Sequence, residues 1–162
     1  MTSDFVLPEE MSDQIERVMA QLQDKTNAKC VLLADITGRL VASLGQLDTD
    51  PVLVAALAAG DLAATAELNR LIGEEQPSGA FLHEGQNHSI YLYNIAGTFI
   101  LVVIFSSDTL VGLVRLFAGR TATELHELTV RFEELLITPQ DRPSADFGAA
   151  LASALEEEFG GL

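Results

Sequence analysis

Few groups of residues in this sequence have the types and spacing that a chemical site requires. His83 and His88 stand five residues apart with Glu84 between them, and imidazole and carboxylate groups at that spacing can share a metal ion. Zinc, however, usually takes three or four protein ligands, and no further histidine or cysteine lies nearby. We therefore interpret the three residues as loop residues and predict no metal site.

Three other groups invite a catalytic interpretation, and each has a simpler structural one. Cys30 lies in an apolar segment, where a thiol is usually a small buried side chain with little nucleophilic character. Ser106-Ser107-Asp108 stands where the following helix needs an N-cap, and Glu133-Glu134 falls on the polar face of that helix.

The sequence contains neither a Gly-x4-Gly-Lys-Ser/Thr loop nor a Gly-x-Gly-x-x-Gly motif. We predict that the chain is not an enzyme, has no catalytic residues, needs no cofactor and binds no nucleotide itself.

The composition narrows the class of protein further. The 162 residues include 24 acidic and 9 basic side chains, which gives a formal net charge of −15. Because this charge repels phosphate backbones and anionic lipids, we expect no nucleic-acid partner and no membrane insertion. The apolar fraction of 48% is too high for a disordered acidic chain. A single cysteine, the lack of a signal-like N-terminal segment and the lack of a long unbroken apolar run predict a soluble cytoplasmic domain.

The remaining pattern predicts eight elements followed by a tail. Two segments, Cys30–Ala34 and Phe99–Phe105, are apolar at both alternating positions, so a strand formed by either needs cover on both faces. We therefore predict an α/β chain of the α+β type, with a central five-stranded antiparallel sheet, helices on both faces and the order α-β-β-α-β-β-β-α. The predicted domain spans residues 1–137, and residues 138–162 form a linker and a tail helix. The predicted elements are a helix ending at Asn27, strands near 29–35 and 39–43, a helix from Asp50-Pro51 to Ile72, strands near 79–83, 89–95 and 98–105, and a helix ending at Ile137.

The second helix is apolar on two sides. Its leucine-rich side predicts a core stripe, whereas the other side is made of alanines bordered by Glu67 and Arg70. A solvated helix face normally has Glu, Lys and Gln instead, and small side chains allow another backbone to approach closely. We interpret the alanine side as an interface; the alternative is that alanine is simply the best helix former. The predicted core stripe is Leu53, Leu57, Ala64, Leu68 and Leu71, and the alanines are Ala56, Ala59, Ala63 and Ala66.

The order of elements, together with several short motifs, resembles the Roadblock/dynein light-chain family, and within it the bacterial polarity regulators of the MglB type. The similarity extends over residues 10–137. The motifs are Asn27-Ala28-Lys29, Asp35-x-x-Gly38-x-Leu40, residues 58–64, Leu71-Ile72-Gly73-Glu74, residues 81–85, residues 101–105 and Leu113-Val114-Arg115-Leu116.

This resemblance implies a homodimer that binds one small Ras-like GTPase of the MglA type and accelerates its GTP hydrolysis, in control of cell polarity or motility. It also implies a cytoplasmic location, concentrated at a cell pole. Family members join their sheets and pack their second helices together, and the GTPase docks against those helices. The partner-binding positions that it implies here are Ala56, Ala59, Ala63, Glu67 and Arg70. The alternative is a Roadblock scaffold or adaptor subunit that does not stimulate hydrolysis.

The tail predicts a second partner-binding segment. Pro139 and Pro143 prevent the third helix from continuing, and the residues beyond them form a short amphipathic pattern that ends in three glutamates. Because so short a helix is marginally stable alone, we predict that its apolar side chains bind a partner. The alternatives are that it packs on its own domain or only solubilises the chain. The four apolar residues are Phe147, Leu151, Leu155 and Phe159.

Overall fold

A computed structural model of the chain describes residues 8–74 and 79–136. The chain divides into a compact unit of residues 1–128 and a second unit of residues 129–162. The predicted tail, with Phe147, Leu151, Leu155 and Phe159, lies outside the described residues. The elements are α1 (Glu9–Thr26), β1 (Cys30–Asp35), β2 (Leu40–Gly45), α2 (Pro51–Leu71), β3 (Ala80–His83), β4 (His88–Ile95), β5 (Phe99–Ser106) and α3 (Val111–Leu136).

The five strands form one antiparallel sheet in the order β2-β1-β5-β4-β3. Strand β1 pairs with β5 along the whole length of β1, with Leu32 opposite Val102, and the two strands lie inside the sheet. The short strand β3 forms one edge and β2 forms the other. The predicted fold class and order of elements are therefore confirmed.

The sheet is covered on both faces, as the two doubly apolar strands require. On one face α2 contributes Ala58 and Leu62 to a buried cluster that also contains Cys30, Leu32, Leu92, Ile100, Val102 and Ile104. The alternating strand residues Val31, Leu33, Leu101 and Val103 point to the other face and are also buried. Buried side chains of α1 and α3 cover that face, among them Ile15, Met19, Leu22, Val114, Ala118 and Leu125.

The helix ends show which local signals in the sequence are reliable. Asn27 closes α1 in the left-handed conformation, with φ of 52°. Asp50 caps α2 by accepting a hydrogen bond from the backbone N–H of Val52 at 3.0 Å. The predicted cap of α3 at Ser107-Asp108 is wrong, because the helix begins only at Val111. The Ser107 hydroxyl instead donates to the carbonyl oxygen of Gly85 at 2.9 Å and joins the β3–β4 loop to the end of β5.

The β1–β2 hairpin is fixed by one carboxylate. Asp35 accepts hydrogen bonds from the Thr37 hydroxyl at 2.6 Å, from the Thr37 and Arg39 backbone N–H groups at 3.0 Å, and from Arg39 Nε at 2.8 Å. Burial alone would raise the pKa of Asp35, but these bonds from Thr37 and Arg39 outweigh it and lower the pKa below its usual value. The hairpin therefore has a single well-defined turn.

That turn lies directly against α2. Gly38 is buried at the turn with φ of +97°, a conformation that side chains with a Cβ rarely adopt. A Cβ at this position would lie 3.1 Å from Ala56 Cα and 3.2 Å from Ala59 Cβ. The small residues on both elements thus allow the hairpin and the helix to approach closely.

We predict that Gly38→Ala lowers the free energy of unfolding by about 2–3 kcal/mol, for two reasons. The φ of +97° is strained for alanine, and the added methyl group would lie too close to the α2 backbone. Gly97→Ala is the matched control, since Gly97 has φ of +73° and open space around it. We expect the control to lose about 1 kcal/mol. Urea unfolding of both variants measures the difference, and equal losses would contradict the close packing of the turn on α2.

Candidate interaction surface on helix α2

The orientation of α2 corrects the sequence-based prediction of its core stripe. Four of the five predicted core residues are large and point outward, with exposed fractions of 58% for Leu53, 73% for Leu57, 61% for Leu68 and 67% for Leu71, and Ala64 is exposed as well. The helix instead contacts the sheet through Ala55, Ala58 and Leu62. The prediction failed because both sides of α2 are apolar, so periodicity does not distinguish them. We call Leu53, Leu57, Leu68 and Leu71 the outer stripe.

Four of the five predicted partner-binding residues lie together on an exposed side of α2. Ala56, Ala63, Glu67 and Arg70 are all exposed, and their spacing places them beside the outer stripe. We call these four residues the alanine flank. Ala59 differs from them because it is half-buried, packs against the core cluster and approaches Gly38. Its small size is explained by contacts within its own chain.

The charged end of the alanine flank is internally paired. Arg70 Nη2 lies 2.5 Å from Glu67 Oε1, and Arg70 Nε lies 3.2 Å from both carboxylate oxygens. This hydrogen bonding lowers the pKa of Glu67 and raises that of Arg70. Because both side chains are well exposed, the pair contributes little to folding stability. It offers a partner a net-neutral ion pair next to an apolar surface.

A second polar contact joins α2 to the edge of the sheet, and no local pattern in the sequence indicates it. His83 Nε2 lies 2.5 Å from Asp61 Oδ2, although the residues are 22 positions apart. His83 is the last residue of β3, and His88 is the first residue of β4, so both histidines belong to strand ends. The described residues contain no group of three or more His, Cys, Asp and Glu side chains placed to hold a metal ion. The contact ties the β3 edge to the middle of α2.

The described part of the chain contains a buried thiol but no arrangement suited to catalysis by it. Cys30 is buried in β1. Burial raises the pKa of its thiol, and nearby Ser43 and Lys29 only partly offset that effect. A thiol in this state is a poor nucleophile, so Cys30 acts as a small core side chain.

The apolar surface of α2 suits contact with another protein. By length and hydropathy alone α2 could also cross a membrane, and 22% of its apolar segment is buried in the fold. It nevertheless packs on its own sheet through one side and has the charged residues Asp61, Glu67 and Arg70 in its second half. Soluble proteins rarely expose a contiguous row of large apolar side chains unless the row is a binding surface. We therefore interpret the outer stripe and the alanine flank as a protein-docking surface.

Comparison with known proteins identifies the class to which this fold and surface belong. The model of the Roadblock/LC7 domain family matches residues 14–105, which is more than half of the chain, and the protein belongs to this family.

Among solved structures, the chain is similar to Myxococcus xanthus MglB, with 37% identity, a TM-score of 0.69, and coverage of 73% of this chain and 96% of that one. The gliding protein MglB of Thermus thermophilus is 26% identical, with a TM-score of 0.69 and coverage of 79% and 97%. An MglB structure described as having a tetrameric arrangement is 26% identical, with a TM-score of 0.70 and coverage of 79% and 96%. An uncharacterized Aquifex aeolicus protein is 22% identical over 133 residues, which is 81% of this chain and 82% of that one.

We predict that truncating Leu62 and truncating Leu57 change the stability of the protein by very different amounts. Leu62→Ala removes a side chain that is 4% exposed and lowers the free energy of unfolding by about 2–5 kcal/mol. Leu57→Ala changes it by less than about 0.5 kcal/mol at dilutions where the chain is monomeric, because Leu57 contacts little of its own chain. Denaturant unfolding of the two variants measures both values. A large loss in Leu57→Ala and a small one in Leu62→Ala would mean that α2 is rotated with the sequence-predicted stripe inward.

Proposed function

We propose that this protein is a homodimeric GTPase-activating protein for a small Ras-like GTPase of the MglA type, active in the cytoplasm, concentrated at a cell pole and involved in cell polarity or motility. The observation that supports this most strongly is the exposed apolar surface of α2 in a chain that is 37% identical to MglB over 96% of that protein. No residue of this chain performs the chemistry, because the partner binds and hydrolyses the nucleotide.

The outer stripe suits pairing with a second copy of the chain. A two-fold symmetric dimer places the same patch of both copies against itself, which a continuous row of leucines along one helix allows. Strand β3 supports the same arrangement, since it is an edge strand of the sheet, and edge strands can pair with a strand of another chain. The contact between His83 and Asp61 holds this edge and α2 together. In the proposed dimer both elements face the second copy, and the alanine flank remains for the GTPase.

The arginines of the chain favour activation without an inserted arginine. Arg39 is ion-paired with Asp35, and Arg70 is ion-paired with Glu67. Arg120 lies over the ring of Phe117, 5.6 Å from its centroid. Each of these three guanidinium groups is thus engaged on its own helix or hairpin. We propose that binding instead orders the GTPase's own switch segments around the nucleotide.

The proposal is tested by measuring GTP turnover of an MglA-type GTPase with and without this protein. We expect turnover to rise, and we expect Ala63→Arg to reduce binding by at least about thirtyfold, because a charged side chain enters an apolar contact. Ala20→Arg, which changes an exposed alanine of α1 in the same way, is the matched control and should behave as wild type. At saturating concentrations of this protein, alanine variants of the five candidate arginines should each keep stimulation within about tenfold of wild type, because none is expected to reach the nucleotide. The five are Arg39, Arg70, Arg115, Arg120 and Arg131.

The outcomes separate the alternatives. Binding without stimulation would support the scaffold or adaptor function instead. A loss of stimulation of about a thousandfold in one arginine variant that still binds would establish an arginine finger and contradict the switch-ordering mechanism. Equal loss of binding in Ala63→Arg and Ala20→Arg would show that the alanine flank is not the docking site.

A further inference from the structure

A second exposed apolar row lies at the start of α3, on the face of the sheet opposite α2. Leu110 is 77% exposed and Leu116 is 49% exposed, and Leu113 between them is exposed as well. Spacings of three and four residues place these side chains and the half-buried Phe117 along one side of the helix start. The proposed function does not use this row, because it assigns both partners to α2 and β3. We call Leu110, Leu113, Leu116 and Phe117 the α3 row.

The α3 row has basic surroundings in an acidic protein. Residues 109–123 contain two arginines and no acidic residue, whereas the whole chain has a net charge of −15. Both Arg115 and Arg120 are exposed. The Arg120 guanidinium lies over the ring of Phe117, 5.6 Å from its centroid, and this contact keeps the cation beside the apolar side chains. The row therefore suits a segment that is both apolar and acidic.

The tail of this chain has both properties in its sequence. Its four apolar residues, Phe147, Leu151, Leu155 and Phe159, recur at every fourth position. Residues 143–162 also contain four acidic side chains, three of them at 156–158, and no basic one. Because a short amphipathic helix is marginally stable alone, such a segment gains stability when its apolar side is covered. The tail thus complements the α3 row in apolar character and in charge.

The length of chain between the α3 row and the tail favours docking between two copies. Phe117 lies about five turns before the end of α3 at Leu136, which corresponds to a rise of about 28 Å. Residues 137–146 lead from there to Phe147 and span at most about 35 Å when fully extended. A tail that bound the row of its own copy would therefore need an almost fully stretched linker. The row of a second copy is not tied to the end of that helix.

We infer that the tail of one copy docks on the α3 row of the second copy in the dimer. This inference rests on the proposed function, because it requires the homodimer. The apolar side chains of the tail cover the leucines of the row, and its glutamates approach Arg115 and Arg120. The exchanged tails add two attachments at high effective concentration, which tightens the dimer while leaving the surface of α2 to the GTPase.

The test measures energy transfer within mixed dimers of the full chain, without any GTPase. One copy, the donor copy, has a donor dye attached at its C-terminus. The other, the acceptor copy, has an acceptor dye at Thr123→Cys, an exposed position of α3 close to the row. The row variant is Leu116→Glu/Arg120→Glu. The matched control, Arg17→Glu/Ala20→Glu, changes exposed residues of α1 by the same total charge.

The position of the row variant in the mixed dimer decides the result. We expect the row variant to lower energy transfer about threefold or more when it is in the acceptor copy, because a carboxylate then enters the apolar contact and a cation is lost. The same variant in the donor copy, and the control variant in either copy, should leave transfer unchanged. Arg120→Glu alone keeps every apolar side chain and should show the same asymmetry with a smaller loss.

The other outcomes contradict the inference in different ways. Transfer that falls only when the row variant is in the donor copy would mean that the tail binds its own copy. Transfer that neither placement changes would mean that the tail does not bind the α3 row, and it would leave the proposed function intact. Sedimentation of the wild-type protein as a monomer would contradict the proposed homodimer as well. Equal thermal unfolding of the row and control variants excludes misfolding as the cause of a loss.

Discussion

The close packing of α2 on the sheet determines what this molecule presents to other proteins. Small side chains at the contact, Ala55 and Ala58, let the helix approach the strands, and Leu62 fills the remaining space. The buried turn at Gly38 lies against the next side of the same helix. Because Ala55, Ala58 and Leu62 occupy the inward side of α2, its other four leucines lie outside the core and form the outer stripe. The exposed apolar surface of α2 is therefore a consequence of how the core is packed.

Most of the fold could be predicted from local patterns, and the orientation of α2 could not. Strands whose residues are apolar at both alternating positions require a sheet that is covered on both faces. Asn27 and Asp50-Pro51 mark helix ends through local backbone and side-chain interactions. When a helix is apolar on two sides, the periodicity of its sequence does not indicate which side faces the core. Side-chain size then favours the leucine side, and this choice was wrong for α2. The contact between Asp61 and His83 depends on the tertiary fold, since it joins residues 22 positions apart. Ser107 shows the reverse failure, because a residue that could have capped α3 locally is used in a tertiary hydrogen bond with Gly85.

In the proposed function, two parts of the α2 surface bind different partners. The outer stripe provides apolar contact area without directional hydrogen bonds, which suits a symmetric contact between identical chains. The alanine flank has small side chains that allow close approach, which suits the proposed contact with a dissimilar partner. The chain belongs to the Roadblock/LC7 family and is similar to MglB, and the proposed regulation of a GTPase would use this surface of α2.

Hydrogen–deuterium exchange tests the central proposal, that α2 is the element through which this protein binds an MglA-type GTPase. The exchange of the protein alone is compared with that of its mixture with an MglA-type GTPase loaded with a non-hydrolysable GTP analogue. Our account predicts added protection in peptides covering residues 51–74 and unchanged exchange in residues 111–128 of α3. Protection confined to α3, with the exchange of α2 unchanged, would contradict it.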